Sequence, residues 1–136
     1  MNFVIIKCSK SRGELEFSER EGLTQAAGSE YFRVTIRSQN MSAFTKVYSF
    51  DPFDYGLKKF FEELAENWRG FDDEKEWKSL EGEFTLVCTS DNLGHFAIRS
   101  TIRNSLDTWS VNTIYVEAGQ LEKIADDVIK FFDSPV

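Results

Sequence analysis

The chain has 136 residues, of which 41% are apolar and 15% aromatic, a make-up typical of one globular domain spanning 1–136. Sixteen basic and twenty-three acidic residues give a net charge of −7, which argues against nucleic-acid binding through overall charge and leaves room for a basic partner. No segment approaches the roughly twenty apolar residues that cross a bilayer, and no basic region precedes the N-terminal apolar run. We therefore expect a cytoplasmic protein in which Cys8 and Cys88 are buried free thiols.

The first fifty residues are typical of antiparallel strands. Short strands are predicted at 3–8 and 14–17, and a loop is predicted at 19–29. Apolar and polar residues alternate over 31–37, and 43–50 is the predicted hairpin partner, with the turn at Gln39 and Asn40. Asp51 and Pro52 then form a helix-start pair: Asp51 is a candidate N-cap, and Pro52 stands at the first helical position.

The stretch 57–77 contains the clearest amphipathic helix. Its apolar residues fall at i, i+3, i+4, i+7, i+8 and i+11: Leu57, Phe60, Phe61, Leu64, Ala65 and Trp68. This spacing predicts that Trp68 is buried, that Gly70 ends the helix in a left-handed conformation, and that Phe71 folds back onto its last turn. A further short turn is predicted over 72–77.

Three more strands and a second helix complete the chain. The strands are predicted at 83–89, 96–103 and 109–116, joined by short turn-rich segments, and the helix at about 120–132. The apolar stripe of this helix repeats that of the first helix at an offset of 64: Leu121, Ile124, Ala125, Val128, Ile129 and Phe132. An internal duplication is one interpretation, and the general similarity of amphipathic helices is the other. Either way we predict an α+β fold, in the order strands-helix-strands-helix, with both helices on one face of an antiparallel sheet.

Three segments carry a resemblance to a known family. They are W-R-G-F at 68–71, W-x-S-L-E-G at 77–82 and D-x-x-G-H at 91–95. In this order and spacing the chain resembles, over about 57–132, a family of small uncharacterised bacterial proteins catalogued as a domain of unknown function. Members often carry Trp where this chain has Phe71. The resemblance implies a bacterial, cytoplasmic setting and no particular chemistry.

His95 is the only histidine, so any imidazole chemistry must use it. A hydrolase would combine it with Asp91 and Ser90, whereas the simpler interpretation is an Asx-turn at Asp91 with Gly94 at positive φ. A single His without neighbouring ligands falls short of a metal site, and we expect no cofactor.

The aromatic residues at 68–77 have two interpretations. Trp68, Phe71 and Trp77 could form a recognition pocket anchored by Arg69, because aromatic residues and Arg dominate binding hot spots. Core packing is the favoured alternative, which leaves Arg69 and Trp77 partly exposed.

Arginines and acids are expected on different surfaces. Four arginines point outward from predicted strands and could form an anion site: Arg33, Arg37, Arg99 and Arg103. Cross-strand pairing with glutamates is their more ordinary use. The helical side is acidic, because 51–76 holds nine acids and four bases. Its candidate partner-binding residues are Glu62, Glu63, Glu66, Asp72, Asp73 and Glu74.

The sequence has no phosphate-binding loop, nucleophile elbow or zinc motif. The leading hypothesis is a non-enzymatic bacterial protein that binds a basic protein through the acidic helical face, with toxin neutralisation (an immunity protein) as its most concrete form. The alternative is a binder of small anions or other ligands that uses the arginine-bearing sheet face together with Arg69.

Overall fold

The computed structural model describes residues 2–22, 29–50 and 56–134, and they form two antiparallel sheets and two helices. The first sheet contains β1 (Phe3–Lys7), β2 (Glu14–Gly22), β3 (Ser29–Arg37) and β4 (Ser42–Phe50), followed by α1 (Gly56–Glu66). The second contains β5 (Glu74–Lys78), β6 (Phe84–Ser90), β7 (His95–Ser105) and β8 (Thr108–Glu117). A single 3₁₀ turn at Ala118–Gln120 leads into α2 (Leu121–Asp133). The predicted α+β class and the order strands-helix-strands-helix are confirmed.

The two halves repeat one architecture. In each sheet neighbouring strands follow chain order, β1-β2-β3-β4 and β5-β6-β7-β8, and each sheet is followed by a helix. At the offset of 64, Phe32 and Val34 of β3 correspond to Phe96 and Ile98 of β7, and all four are buried. The equivalence ends at the next strand, where Val47 is buried but Val111 is exposed. Phe32 pairs with Val47, whereas Phe96 pairs with Val116, which is the buried valine of β8.

Phe17 of β2 is the point where the sheets and helices meet. Its ring centroid lies 6.2 Å from that of Phe61 in α1, 6.3 Å from Phe132 in α2 and 5.9 Å from Phe84 in β6. The alternation of β2 and β3 supplies the rest of this layer, since Leu15 pairs with a buried isoleucine and Phe17 with a buried valine. Each helix and each sheet therefore contributes aromatic residues to one shared core.

Trp68 is the main correction to the predicted core. The helix α1 ends at Glu66, where the Asn67 side chain donates a 2.7 Å hydrogen bond to the Glu63 carbonyl. Trp68 therefore leaves the helical register of the buried stripe, and half of its surface (50%) is exposed. Gly70 has the predicted left-handed conformation, with φ of 116°.

Three further expectations change. The segment predicted as a turn at 72–77 contains strand β5, in which Trp77 pairs with Leu86 and its ring lies 5.5 Å from that of Phe84. In α2 the buried residue of the last turn is Phe131, while Ile129 is only half-buried. Strand β2 continues to Gly22 and β3 begins at Ser29, so the loop predicted at 19–29 is wrong at both of its ends, and 23–28 lie outside the described residues. The helix-start pair at 51–52 lies outside the described residues.

Candidate functional site

Two of the three motif segments, W-R-G-F and D-x-x-G-H, form turns that meet at one end of the molecule. Gly70 packs against the β6–β7 turn, because a methyl group at Gly70 would lie 2.9 Å from Ser90 Oγ and 2.2 Å from Asn92 Oδ1. On the other side of the same turn, the Ala118 amide donates a 2.9 Å hydrogen bond to the Gly94 carbonyl. The end of α1, the β6–β7 turn and the entry to α2 are thus held together.

Asp91 organises the β6–β7 turn. Its Oδ1 accepts hydrogen bonds from the amides of Leu93 (2.7 Å) and His95 (3.1 Å), and its Oδ2 lies 2.6 Å from His95 Nδ1. These bonds, led by that from the Leu93 amide, lower the pKa of the Asp91 carboxyl. Asn92 and Gly94 adopt positive φ values of 61° and 90°. The Asp91 carboxylate and the two residues with positive φ all stabilise the turn, which has the geometry expected of an Asx-turn.

The hydrolase arrangement is not assembled in this turn. Ser90 Oγ accepts a 3.0 Å hydrogen bond from the Asn92 amide. The His95 ring contacts the Asp91 carboxylate, and both side chains are about half exposed. A nucleophile would need its hydroxyl within hydrogen-bond reach of the imidazole.

The W-x-S-L-E-G segment is also a turn-building element. Ser79 is buried, donates a hydrogen bond to the Glu83 carboxylate and accepts a 3.0 Å bond from the Phe84 amide. Gly82 has φ of 77°, and its amide bonds the Ser79 carbonyl at 3.0 Å. The segment therefore closes the β5–β6 hairpin, at the opposite end of the sheet from Asp91.

Trp68 lines a groove of about 520 Å³ between the end of α1 and the start of α2. The groove is lined by six residues: Ala65, Glu66, Trp68, Ala118, Gly119 and Glu122. Three of them are small, one is a large aromatic residue and two are carboxylates. The guanidinium of Arg69 lies 4.9 Å from the centre of the Trp68 indole, which shows that this ring accepts a cation.

The sequence patterns do not predict this groove. Its two sides lie fifty or more positions apart along the chain, and helical spacing predicts that Trp68 is in the core. The available signal was local: small residues at Ala118 and Gly119 directly after a strand leave space next to a helix start. Glu122 is not among the candidate site residues predicted from the sequence.

The acidic candidates share a lack of internal partners. Within the described ranges, no ion pair or hydrogen bond engages the carboxylates of this set: Glu62, Glu63, Glu66, Asp72, Asp73 and Glu74. All are exposed except Glu63, which is half-buried. Three lie on α1 and three lie on the segment from Phe71 into β5. We call this set the acidic face.

The four strand arginines, in contrast, are divided between the two sheets, and three of them are engaged by neighbouring residues. Arg33 bonds Glu19 at 2.7 Å and stacks on the Phe44 ring at 3.7 Å, while Arg37 pairs with Glu14 and Glu16. In the second sheet, Arg103 donates a 2.9 Å bond to the Glu81 carbonyl and lies 5.5 Å from the Trp109 ring. Arg99 of β7 is exposed.

Other site types find little support among the described residues. No three His, Cys, Asp or Glu side chains in these ranges are grouped as a metal site requires. A second cavity, of about 80 Å³, lies at the β3–β4 turn beside Val111 and has room for only a few water molecules. No helix in the described ranges is long and apolar enough to span a bilayer.

Comparisons with known proteins place the chain in a family. No curated protein matches it. A family model described as "Family of unknown function (DUF6228)" matches residues 6–135, which is consistent with the resemblance to an uncharacterised family. The chain therefore belongs to the DUF6228 family.

Proposed function

We propose that this protein is a non-enzymatic interaction protein that binds a basic protein partner through the acidic face. The observation that carries the proposal is the contrast between the two charged surfaces. The acids at 62–66 and 72–74 have no cationic partners among the described residues, whereas Arg33 and Arg37 are neutralised by glutamates. Unpaired like charges on a stable fold cost stability, and a basic partner would compensate them.

Neutralisation of a basic toxin is the most concrete biological form of this role. A net charge of −7 and a clustered acidic face favour fast, electrostatically steered association, which an inhibitor of a harmful protein requires. We place the protein in the reducing cytoplasm, where its two buried cysteines would remain free thiols.

The packing of the two helices bears on where the acidic face lies. We propose that both helices cover the same face of the first sheet, because the single ring of Phe17 contacts Phe61 of α1 and Phe132 of α2. This arrangement directs the polar side of α1, with Glu62 and Glu66, away from the sheet.

The test is partner capture followed by association kinetics. The immobilised protein is exposed to a lysate of its source organism, the captured protein is identified and purified, and its association rate is measured at low and high salt. Reversing two acids, in the variant Glu62→Lys with Glu66→Lys, should slow association at low salt by about tenfold or more.

A matched control has the same change in net charge. Glu81 and Asp107 are exposed turn residues at the end of the second sheet farthest from Asp91. The double variant Glu81→Lys with Asp107→Lys should leave the association rate within about twofold if the acidic face guides the encounter. Equal slowing in both variants would show that only net charge matters, and no slowing in either would refute the surface.

Small-anion binding is the second candidate function, and the exposure of Arg99 is the observation that favours it. It is the exposed member of the four strand arginines. Phosphate titration followed by NMR would show shifts at the amides of Arg99 and Thr101 if the second sheet binds anions.

A further inference from the structure

The groove beside Trp68 has the composition of a pocket for a cationic side chain. Its floor consists of small residues, since Ala65, Ala118 and Gly119 leave the space open. A methyl group at Gly119 would meet no atom within 4 Å. Trp68, which follows the end of α1, supplies an indole that is half exposed.

The two carboxylates at the groove have no ion-pair partner in the part of the chain that the structure describes. Glu66 and Glu122 form no ion pair among residues 2–22, 29–50 and 56–134. The nearest lysine along α2, Lys123, is bound to Asp127 at 2.7 Å. Two carboxylates next to an aromatic ring attract a positive group, and they repel an anion.

An arginine side chain fits this chemistry better than a lysine. A guanidinium is planar, so it can stack on an indole while its N–H groups donate to a carboxylate. The guanidinium of Arg69 already lies over the Trp68 indole, 4.9 Å from the ring centre. With Arg69 in this position, half of the Trp68 surface is still exposed, so the indole has area left for a guanidinium of a partner.

We infer that the groove is the anchor point of the acidic face and takes an arginine side chain of the basic partner, stacked on Trp68 between Glu66 and Glu122. This inference rests on the proposed function and adds to it a specific residue type and position. Charge complementarity argues for the occupant: the acidic face at 62–66 and 72–74 continues into the groove through Glu66, which belongs to both.

The experiment uses two peptides that differ in charge and hardly in shape. Hexa-arginine and hexa-citrulline are titrated into the ¹⁵N-labelled full chain, and shifts of the backbone amides and of the Trp68 indole N–H are followed by NMR. Hexa-arginine should shift the resonances of Ala65, Trp68 and Gly119, and hexa-citrulline should bind at least about tenfold more weakly.

Two variants test the groove itself. Gly119→Phe fills the open space and should weaken hexa-arginine binding by about tenfold, whereas Gly119→Ala leaves the space open and should change it less than twofold. Trp68→Ala removes the stacking ring without filling the groove and should weaken binding roughly three- to thirtyfold. Amide spectra of the free variants report whether each one is folded.

The outcomes of these titrations distinguish the arginine pocket beside Trp68 from the acidic face as a whole. If hexa-arginine shifts the amides of Glu62 and 72–74 while Trp68 and Gly119 stay unchanged, the acidic face stands and the arginine pocket is wrong. If hexa-citrulline binds as tightly as hexa-arginine, the groove is an apolar site and the inference is overturned. If neither peptide shifts any of these amides, the pocket and the proposed acidic binding surface both fail.

Discussion

Gly70 lies directly against Asn92, on the opposite side of the interface between the end of α1 and the β6–β7 turn. A methyl group at Gly70 would be 2.2 Å from Asn92 Oδ1 and 3.0 Å from Asn92 Cα. Gly70 also has φ of 116°, a conformation that residues with a Cβ rarely adopt. Two of the family-like motifs, W-R-G-F and D-x-x-G-H, therefore meet at one contact.

The first prediction is that Gly70→Ala lowers the free energy of unfolding by about 2–4 kcal/mol, because it adds both backbone strain and a steric clash. Urea unfolding followed by circular dichroism measures it. Gly119→Ala is the matched control: Gly119 has open space around it, and alanine should change stability by less than about 1 kcal/mol. Equal effects of the two substitutions would mean that the Gly70 contact is not as tight as described.

The second prediction compares two aromatic residues of the stripe predicted for the first helix. Phe61 is 1% exposed and packs against Phe17 and Phe60, so Phe61→Ala should cost about 3–5 kcal/mol. Trp68 is half exposed, so Trp68→Ala should cost only about 1 kcal/mol. Urea unfolding of both variants decides the matter. A loss of several kcal/mol in Trp68→Ala would restore the buried position that its spacing suggests.

Helical periodicity predicted most of the core but could not locate the end of α1. The pattern from Leu57 to Leu64 is buried as expected, since four positions at helical spacing define a face. Asn67 ends the helix through a side-chain bond to the Glu63 carbonyl, and such a bond competes with helix continuation in a way that periodicity does not contain. The next aromatic residue, Trp68, consequently became part of a surface groove.

Strand β5 shows a second limit. Its sequence, EKEWK, has one large apolar residue and four charged ones, so it carries no strand signal of its own. It forms because Trp77 pairs with Leu86 of β6 at the edge of the sheet, and charged residues are common on edge strands. The groove was equally hidden, because its sides, Trp68 and Gly119, meet only after both halves have folded.

The third prediction concerns two buried serines. Ser100 of β7 faces the core at 0% exposure, and within the described part of the chain its hydroxyl has no hydrogen-bond partner. Ser100→Ala should raise the free energy of unfolding by about 1 kcal/mol, because it removes an unsatisfied polar group. Ser79→Ala should lower it by about 1–3 kcal/mol, because the Phe84 amide would lose its acceptor.

The free energy of unfolding of the two serine variants, measured by thermal and urea unfolding, should therefore change in opposite directions. Alanine is close to serine in size, so packing changes little in either case, and the difference reports hydrogen bonding. Destabilisation of both variants by similar amounts would show that Ser100 has a partner after all, such as a buried water molecule.

The fourth prediction uses the two thiols. Burial raises the pKa of Cys8. Hydrogen bonds to its sulfur outweigh this effect and bring the pKa below its usual value. They come from the Ser11 hydroxyl and from nearby backbone amides, including that of Tyr115 at 3.3 Å. Burial raises the pKa of Cys88 to about 12, although Lys75 opposes the shift. The thiolate is the reactive form, so Cys8 should be alkylated at least about tenfold faster than Cys88 by iodoacetamide at pH 8 in the native protein.

Mass spectrometry of tryptic peptides over time measures both alkylation rates in one sample. In concentrated urea the two cysteines lose their environments, and their rates should agree within about twofold. Ser11→Ala removes the side-chain hydrogen bond and should slow alkylation of Cys8 in the folded state while leaving Cys88 unchanged. Because both thiols are buried, equal native rates would mean that access through local opening, and not thiolate population, governs the reaction at both sites.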